Sequence, residues 1–166
     1  MSIEKQRKAI DRIDAQIVKL LNERTEHVLQ IGKSKIEAGE EIYAPHRESD
    51  LLRRIRKLNP GPIADESLSA IYREVMSSAL ALQKTLTIAF LGPEATFTHQ
   101  AAIRRFGSSL IYSPQKTIAD VFSEVSRNHA EYGVVPVENS TEGVVTHTLD
   151  MFTDSDLKIV AQVLLP

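Results

Sequence analysis

The chain has no cysteine and no tryptophan. Without thiols it can hold neither disulfides nor thiolate metal sites, and the composition fits a reducing compartment. Aromatic residues are sparse, at 5%. No uninterrupted apolar run approaches the roughly 20 residues of a membrane span. The first residues, MSIEKQRKAIDRID, are charged throughout, so no secretory signal is expected and a cytoplasmic protein is. The histidines at positions 27, 46, 99, 129 and 147 lack metal-ligand spacing, so no metal site is expected. There is no GxGxxG dinucleotide fingerprint, and no serine sits in a nucleophile elbow. A strong charge excess is also missing. The net charge of −2 argues against bulk nucleic-acid binding. The run Arg53-Arg54-Ile55-Arg56-Lys57 interleaves with an apolar stripe and reads as a solvated helix face.

What is present suffices for one ordinary domain or two small ones: 166 residues, 42% hydrophobic and 25% charged. Residues 1–85 carry 15 Lys and Arg against 13 Asp and Glu, a net of +2; residues 86–166 carry 5 against 9, a net of −4. The basic side chains concentrate in the first half.

That half is built around one long stretch, Ile3 to about Lys35. Ile3, Ile10, Ile13, Ile17, Leu20, Val28 and Ile31 recur at helical spacing. Arg7 and Arg24 fill the gaps in this stripe, and Lys35 ends it. A charge on a buried stripe is costly unless paired. Three cations there ask for acidic side chains or an anionic ligand. Arg24 and Lys35 lie about 16 Å apart along the axis, with Val28 and Ile31 between them, so their long side chains can lean together over one small dianion. Arg7 lies about 25 Å from Arg24, too far to reach the same ligand unless it comes from a second, antiparallel chain. The pattern predicts a dimeric helical protein with a shared anion pocket. The alternative is that the helix phase drifts and the three side chains snorkel to water.

Gly39 is a reasonable stop for this helix. Pro45 opens a second, running to Leu58, with Leu51, Leu52, Ile55 and Leu58 as its stripe. Glu48 points along that stripe and can answer the cations of helix one or a ligand hydroxyl. Asn59-Pro60-Gly61-Pro62 is a firm break. Asp65 can cap a third helix to about Lys84, with Leu68, Ile71, Tyr72, Val75, Met76, Ala79 and Leu82 on its apolar side and Gln83 at the edge. Three helices, one very long, cannot close a compact monomeric core, which again predicts a dimer.

At Thr85-Leu86 the period changes. Strands are predicted at Thr87–Leu91, Leu110–Tyr112, Tyr132–Val137 and Leu157–Leu165, and helices at Thr98–Phe106, Thr117–His129 and Val144–Phe152. Strand–helix alternation implies a parallel sheet. The alternation breaks off at Pro166, which reads as part of a larger domain and predicts an exposed edge strand there. Gly92-Pro93-Glu94-Ala95-Thr96-Phe97 lies between a strand and a helix, where open α/β sheets bind ligands. Pro136-Val137-Glu138-Asn139-Ser140-Thr141-Glu142-Gly143 also follows a strand. It is either a second ligand loop at the same sheet edge or a helix cap made by Asn139 or Ser140.

Two sets of motifs carry a resemblance. Arg7, LLNERTEHVLQIGKSK, HRESDLL and REVMSSALALQK occur in the order of the all-helical chorismate mutase domain. GPEATF and YGVVPVENSTEG resemble the start of prephenate dehydratase. Together they look like the bifunctional chorismate mutase/prephenate dehydratases of phenylalanine biosynthesis. The resemblance spans essentially the whole chain.

It implies a three-helix, all-α chorismate mutase domain over residues 1–85, forming an intertwined helical dimer. An incomplete α/β lobe of the periplasmic-binding-protein kind follows over residues 86–166. It implies a cofactor-free rearrangement of chorismate, a dianion, to prephenate. Arg24, with Arg7 donated across the homodimer interface, would hold the two carboxylates. Lys35 and Gln83 would donate to the ether oxygen, and Arg47 and Glu48 would order the ring-hydroxyl side. Thr96, Asn139 and Ser140 would line half of a dehydratase cleft.

The sequence also departs from the family. Ala44 and Ala79 stand where some members offer polar contacts. Ala95 replaces the usual Gly of GPxGTF, so the tight turn there is in question. The Thr-Arg-Phe motif and the C-terminal phenylalanine-binding domain are absent from these residues, so the dehydratase segment is expected to be inactive. A second function class remains open: a non-catalytic helical dimerisation scaffold carrying a ligand-binding α/β module. Lys35 with Gln83 discriminates, because a scaffold has no use for two donors aimed into an apolar pocket.

Overall fold

The computed structural model describes residues 2–139 and 143–165. They form two compact units, residues 1–43 and 44–166.

The first unit is one helix and its trailing loop. Helix α1 runs Ile3–Glu37, about 52 Å at 1.5 Å per residue. Its start is fixed by Ser2, whose hydroxyl accepts from the Lys5 N–H, with Glu4 in the first turn. Its end follows from Gly39 at φ +69°. The Gly39 N–H donates to the Ile36 carbonyl and the Glu40 N–H to the Lys35 carbonyl, at 3.1 and 2.8 Å, the paired bonds of a Schellman stop. The stripe read from the sequence is solvent-exposed along α1: Ile3, Ile10, Ile13, Ile17, Leu20 and Ile31 are each about half to three-quarters accessible.

The second unit begins with α2 (Pro45–Leu58) and α3 (Asp65–Gln83). Asp65 does not cap α3 as expected. Ala64 is the N-cap, and the Asp65 carboxylate instead accepts from Asn59 Nδ2 at 2.6 Å, which closes the turn between the helices. The residues of α3 that are buried are Ser69, Ser77 and Ala79, whereas Ile71 and Leu82 of the predicted apolar side are exposed. The serines are tolerated inside because their hydroxyls are bonded: Ser69 accepts from Arg56 Nε at 3.0 Å, and Ser77 from the Ser109 N–H at 3.2 Å.

Three parallel strands follow, β1 (Thr87–Leu91), β2 (Ile111–Gln115) and β3 (Tyr132–Val134), in the order β2-β1-β3. Ile88, Ala89 and Phe90 of the central strand are wholly buried, so β1 reads as a continuous apolar run, as a strand covered on both faces must. β2 extends past the predicted Tyr112 through Pro114, which is tolerated because β2 is an edge strand. Helices α4 (Phe97–Phe106) and α5 (Ile118–Ser126) form the crossovers. Thr117 and Asp120 close a capping box at the start of α5. Asn128, at φ +57°, ends the turn after that helix, short of the predicted His129.

Two corrections concern the end of the chain. Glu138–Asn139 (β4) and Gly143–Val144 (β5) pair as a short antiparallel ribbon before α6 (Thr146–Thr153). The predicted strand at Leu157–Leu165 does not form among the described residues. Its apolar pattern is that of a strand, but a strand exists only by pairing with an edge, and Ile159, Val160 and Leu164 stand exposed. Among the described residues, no helix is long and apolar enough to cross a membrane.

Candidate functional site

Three of the predicted site residues, Arg7, Arg24 and Lys35, project from α1 in the first unit. Arg7 is exposed. Arg24 is half-buried, and its Nη1 is shut off from solvent without a hydrogen-bond partner. An enclosed guanidinium N–H left unpaired is costly, so this atom favours an anion beside it. Lys35 lines an open cavity of about 580 Å³ with His27, Gln30, Ile31, Ser34, Ala38 and Glu40. Its Nζ donates to the carbonyls of Glu41 and Ile42 at 3.0 and 3.3 Å. An ammonium has three protons, so one remains to be directed at a ligand.

The remaining mutase candidates belong to the second unit. Arg47 is exposed in the first turn of α2. Gln83 ends α3, half-buried, with Nε2 turned back on the Ala79 carbonyl at 3.2 Å. Glu48 has a partner within the second unit. Its Oε2 pairs with Arg105 Nη1 of α4 at 3.3 Å, both side chains largely buried. Sequence reasoning missed Arg105, although the signal was present. It lies four residues after Ala101 and three after Ala102, on the face that α4 buries, so it is a charge on an apolar stripe like the cations of α1.

The second cluster lies at the carboxyl ends of β1 and β3, on either side of the point where the chain changes direction across the sheet. Gly92 leaves β1 and bonds to the Gln115 carbonyl at 2.8 Å. A Cβ on Gly92 would meet Pro114 Cβ at 3.0 Å, so the close approach of β1 and β2 requires glycine here. Thr96 caps α4: its hydroxyl donates to the Pro93 carbonyl at 2.9 Å and accepts from the His99 N–H at 3.4 Å. The tight turn that Ala95 put in question does form, with Ala95 itself at φ +64°. Its N–H donates to His99 Nδ1 at 3.0 Å, and the His99 ring stacks on Phe90 at 4.6 Å. His99 was not among the predicted residues; with Nδ1 accepting, its ring carries the proton on Nε2. Asn139 lies in β4 opposite Gly143. Ser140 lies outside the described residues. Thr148, wholly buried, donates to the Pro136 carbonyl at 2.7 Å.

A left-handed alanine costs about 1–2 kcal/mol, partly offset by the greater chain freedom a glycine loses on folding. Ala95→Gly is therefore expected to stabilise the protein by about 0.5 kcal/mol, seen as a small rise in Tm. A fall in Tm would mean that the Ala95 methyl makes a contact worth more than the strain.

Tyr112 and Glu131 have perturbed acidities. Burial, and secondarily the nearby Glu74, push the Tyr112 phenol well above its usual range; its hydroxyl donates to the Gly107 carbonyl. Burial alone would raise Glu131, but the Thr87 N–H at 2.8 Å and the Lys84 ammonium at 3.0 Å outweigh it and hold the carboxyl below its usual 4.5. A depressed folded-state pKa adds stability above the unfolded value, lost as pH falls through the folded one. Glu131→Gln is thus expected to lower Tm at neutral pH, with the gap to wild type closing at lower pH, below about 4. A gap that stays constant over that range would sink the assignment.

Comparisons with known proteins bear on both clusters. The family model described as chorismate mutase type II matches residues 6–84, and that described as prephenate dehydratase matches residues 88–166. A protein of Aquifex aeolicus named bifunctional chorismate mutase/prephenate dehydratase is 50% identical over 164 residues, covering 96% of this chain and 45% of that protein. One of the same name from Neisseria gonorrhoeae is 49% identical, covering 96% of this chain and 43% of that protein. The chain thus spans a little under half the length of these relatives. A solved chorismate mutase of Thermus thermophilus is 36% identical, with a TM-score of 0.48, and covers 49% of this chain and 92% of that one.

Proposed function

The chain belongs to the family of bifunctional chorismate mutase/prephenate dehydratases, and on that premise we propose that residues 1–85 rearrange chorismate to prephenate. The reaction is an isomerisation. One C–O bond breaks as one C–C bond forms, with no covalent intermediate and no cofactor. The protein's part is to confine the dianion in a reactive conformer and stabilise charge where it develops.

The observation that carries this reading is the unpaired, enclosed Nη1 of Arg24 on a helix face otherwise apolar. Arg24 holds one substrate carboxylate. Lys35, with the proton its two carbonyl bonds leave over, and Gln83 donate to the departing ether oxygen. Arg47 and Glu48 order the ring hydroxyl. The exposed isoleucines of α1 are far more apolar surface than a lone helix leaves in water; a second copy of the chain covers them in an intertwined homodimer of three-helix domains and brings its Arg7 to the other carboxylate. Residues 86–166 form one lobe of a periplasmic-binding-protein-like dehydratase domain, in which Thr96 and Asn139 face a cleft. These 166 residues contain no Thr-Arg-Phe sequence, so prephenate is the end product they yield. The protein works in the cytoplasm.

The test is an incubation of the purified chain with chorismate, followed by product analysis. Prephenate without phenylpyruvate is expected. Phenylpyruvate, after control for acid breakdown of prephenate, overturns the inactive second half. No turnover by a folded dimer overturns the mutase reading and favours a dimerisation scaffold.

A further inference from the structure

We infer that Arg105, in the dehydratase segment, is a positioning residue for the mutase reaction, acting through Glu48. This rests on the proposed role of Glu48 at the substrate's ring hydroxyl. Glu48 stands in the first turn of α2 and Arg105 in the last turn of α4. Their side chains are 10% and 18% exposed, and the Oε2–Nη1 distance is 3.3 Å. A buried charged pair restrains both rotamers, because turning either side chain away gives up an ion pair that water does not replace there. A carboxylate has several acceptor sites, so a bond to Arg105 is compatible with Glu48 also accepting a hydrogen bond from a ligand hydroxyl.

The pair is part of a continuous seam between the helical and α/β segments. The Glu74 carboxylate of α3 accepts from the Ser108 N–H at 3.0 Å and its hydroxyl at 2.6 Å. Ser77 accepts from the Ser109 N–H. These bonds set the end of α4 against α3 without involving the Glu48–Arg105 pair itself. A long side chain has several staggered rotamers, and the ion pair favours one of them for Glu48. Arg105 selects the one that the mutase site uses, so a residue outside the mutase segment tunes chorismate binding.

The experiment measures mutase kinetics of the full chain in four forms: wild type, Arg105→Gln, Glu48→Gln and the double variant. Arg105→Gln is expected to lower kcat/KM for chorismate about tenfold or more, mostly through KM, and to have little further effect once Glu48 is Gln. Arg105→Lys is expected to fall between wild type and Arg105→Gln. Glu74→Gln disturbs the same seam without touching Glu48 and is expected to keep the wild-type KM. Equal losses from Arg105→Gln with and without Glu48, or the same loss in Glu74→Gln, would reduce Arg105 to a structural contact and overturn the inference. If Arg105→Gln does not fold, Arg105→Lys decides: a KM at least doubled supports the inference, and an unchanged KM overturns it. An inactive wild-type chain fails the mutase reading itself, and the inference with it.

Discussion

Replacing Lys35 by alanine is expected to cut kcat for chorismate about 10²–10³-fold, the effect of losing about 3–4 kcal/mol of stabilisation from one preorganised donor. The ammonium is held by carbonyls on one side, Glu41 and Ile42, and lines a cavity over Ile31 on the other. That arrangement costs little reorganisation when charge appears on a departing oxygen, which is the condition for a large transition-state effect. The same two bonds create a rival explanation, because Lys35→Ala also releases the loop at residues 41–42. The kinetic pattern separates them. Losing an interaction made only in the transition state lowers kcat and kcat/KM together, whereas a loosened pocket raises KM with kcat little changed. A near-normal kcat in the variant would remove Lys35 from the mechanism.

Helix α1 was legible almost to the residue, because its boundaries are local chemistry. Ser2 caps one end and Gly39 stops the other, and the apolar period between them needs no tertiary information. The buried central strand β1 and the parallel crossovers were legible for the same reason. What the sequence could not supply was pairing. The stretch from Leu157 to Leu165 has the composition of a strand, but whether a strand forms depends on an available edge. The buried face of α3 was misread because Ser69 and Ser77 look like surface residues until Arg56 and Ser109 are seen to satisfy them. Glu48 was read from the sequence as a carboxylate along the apolar stripe of α2. Its partner, 57 positions away, required the fold, although Arg105 could have been flagged by applying to α4 the argument used on α1. The tight turn at Ala95 was doubted because alanine disfavours positive φ; the Thr96 cap and the bond to His99 hold it there regardless.

Gly107→Ala is expected to destabilise the second unit by about 3–5 kcal/mol, the sum of a backbone and a steric penalty. Gly107 follows α4 with φ +80° and ψ −178°, a region occupied essentially by glycine alone and costing other residues about 1–3 kcal/mol. An added Cβ would also lie 2.4 Å from Ser77 Cβ and 2.6 Å from its Oγ, inside a seam too well bonded to yield freely. Two ways out exist for the chain. It can keep the seam and bear the full strain, in which case the urea midpoint falls and the slope m is unchanged. Or the end of α4 can lift from α3, giving up the bonds of Ser108 to Glu74 and of Ser109 to Ser77; the native state is then less compact and m falls too. Ser77→Gly in the Gly107→Ala background separates the two penalties. It removes the atoms that clash but leaves the backbone strain, so it is expected to recover part of the loss, measured against Ser77→Gly alone. Full recovery would show that packing, not φ, dictates glycine at this position. A Gly107→Ala protein within about 0.5 kcal/mol of wild type, the ordinary scatter of surface substitutions, would mean that α4 and α3 do not meet as closely as described.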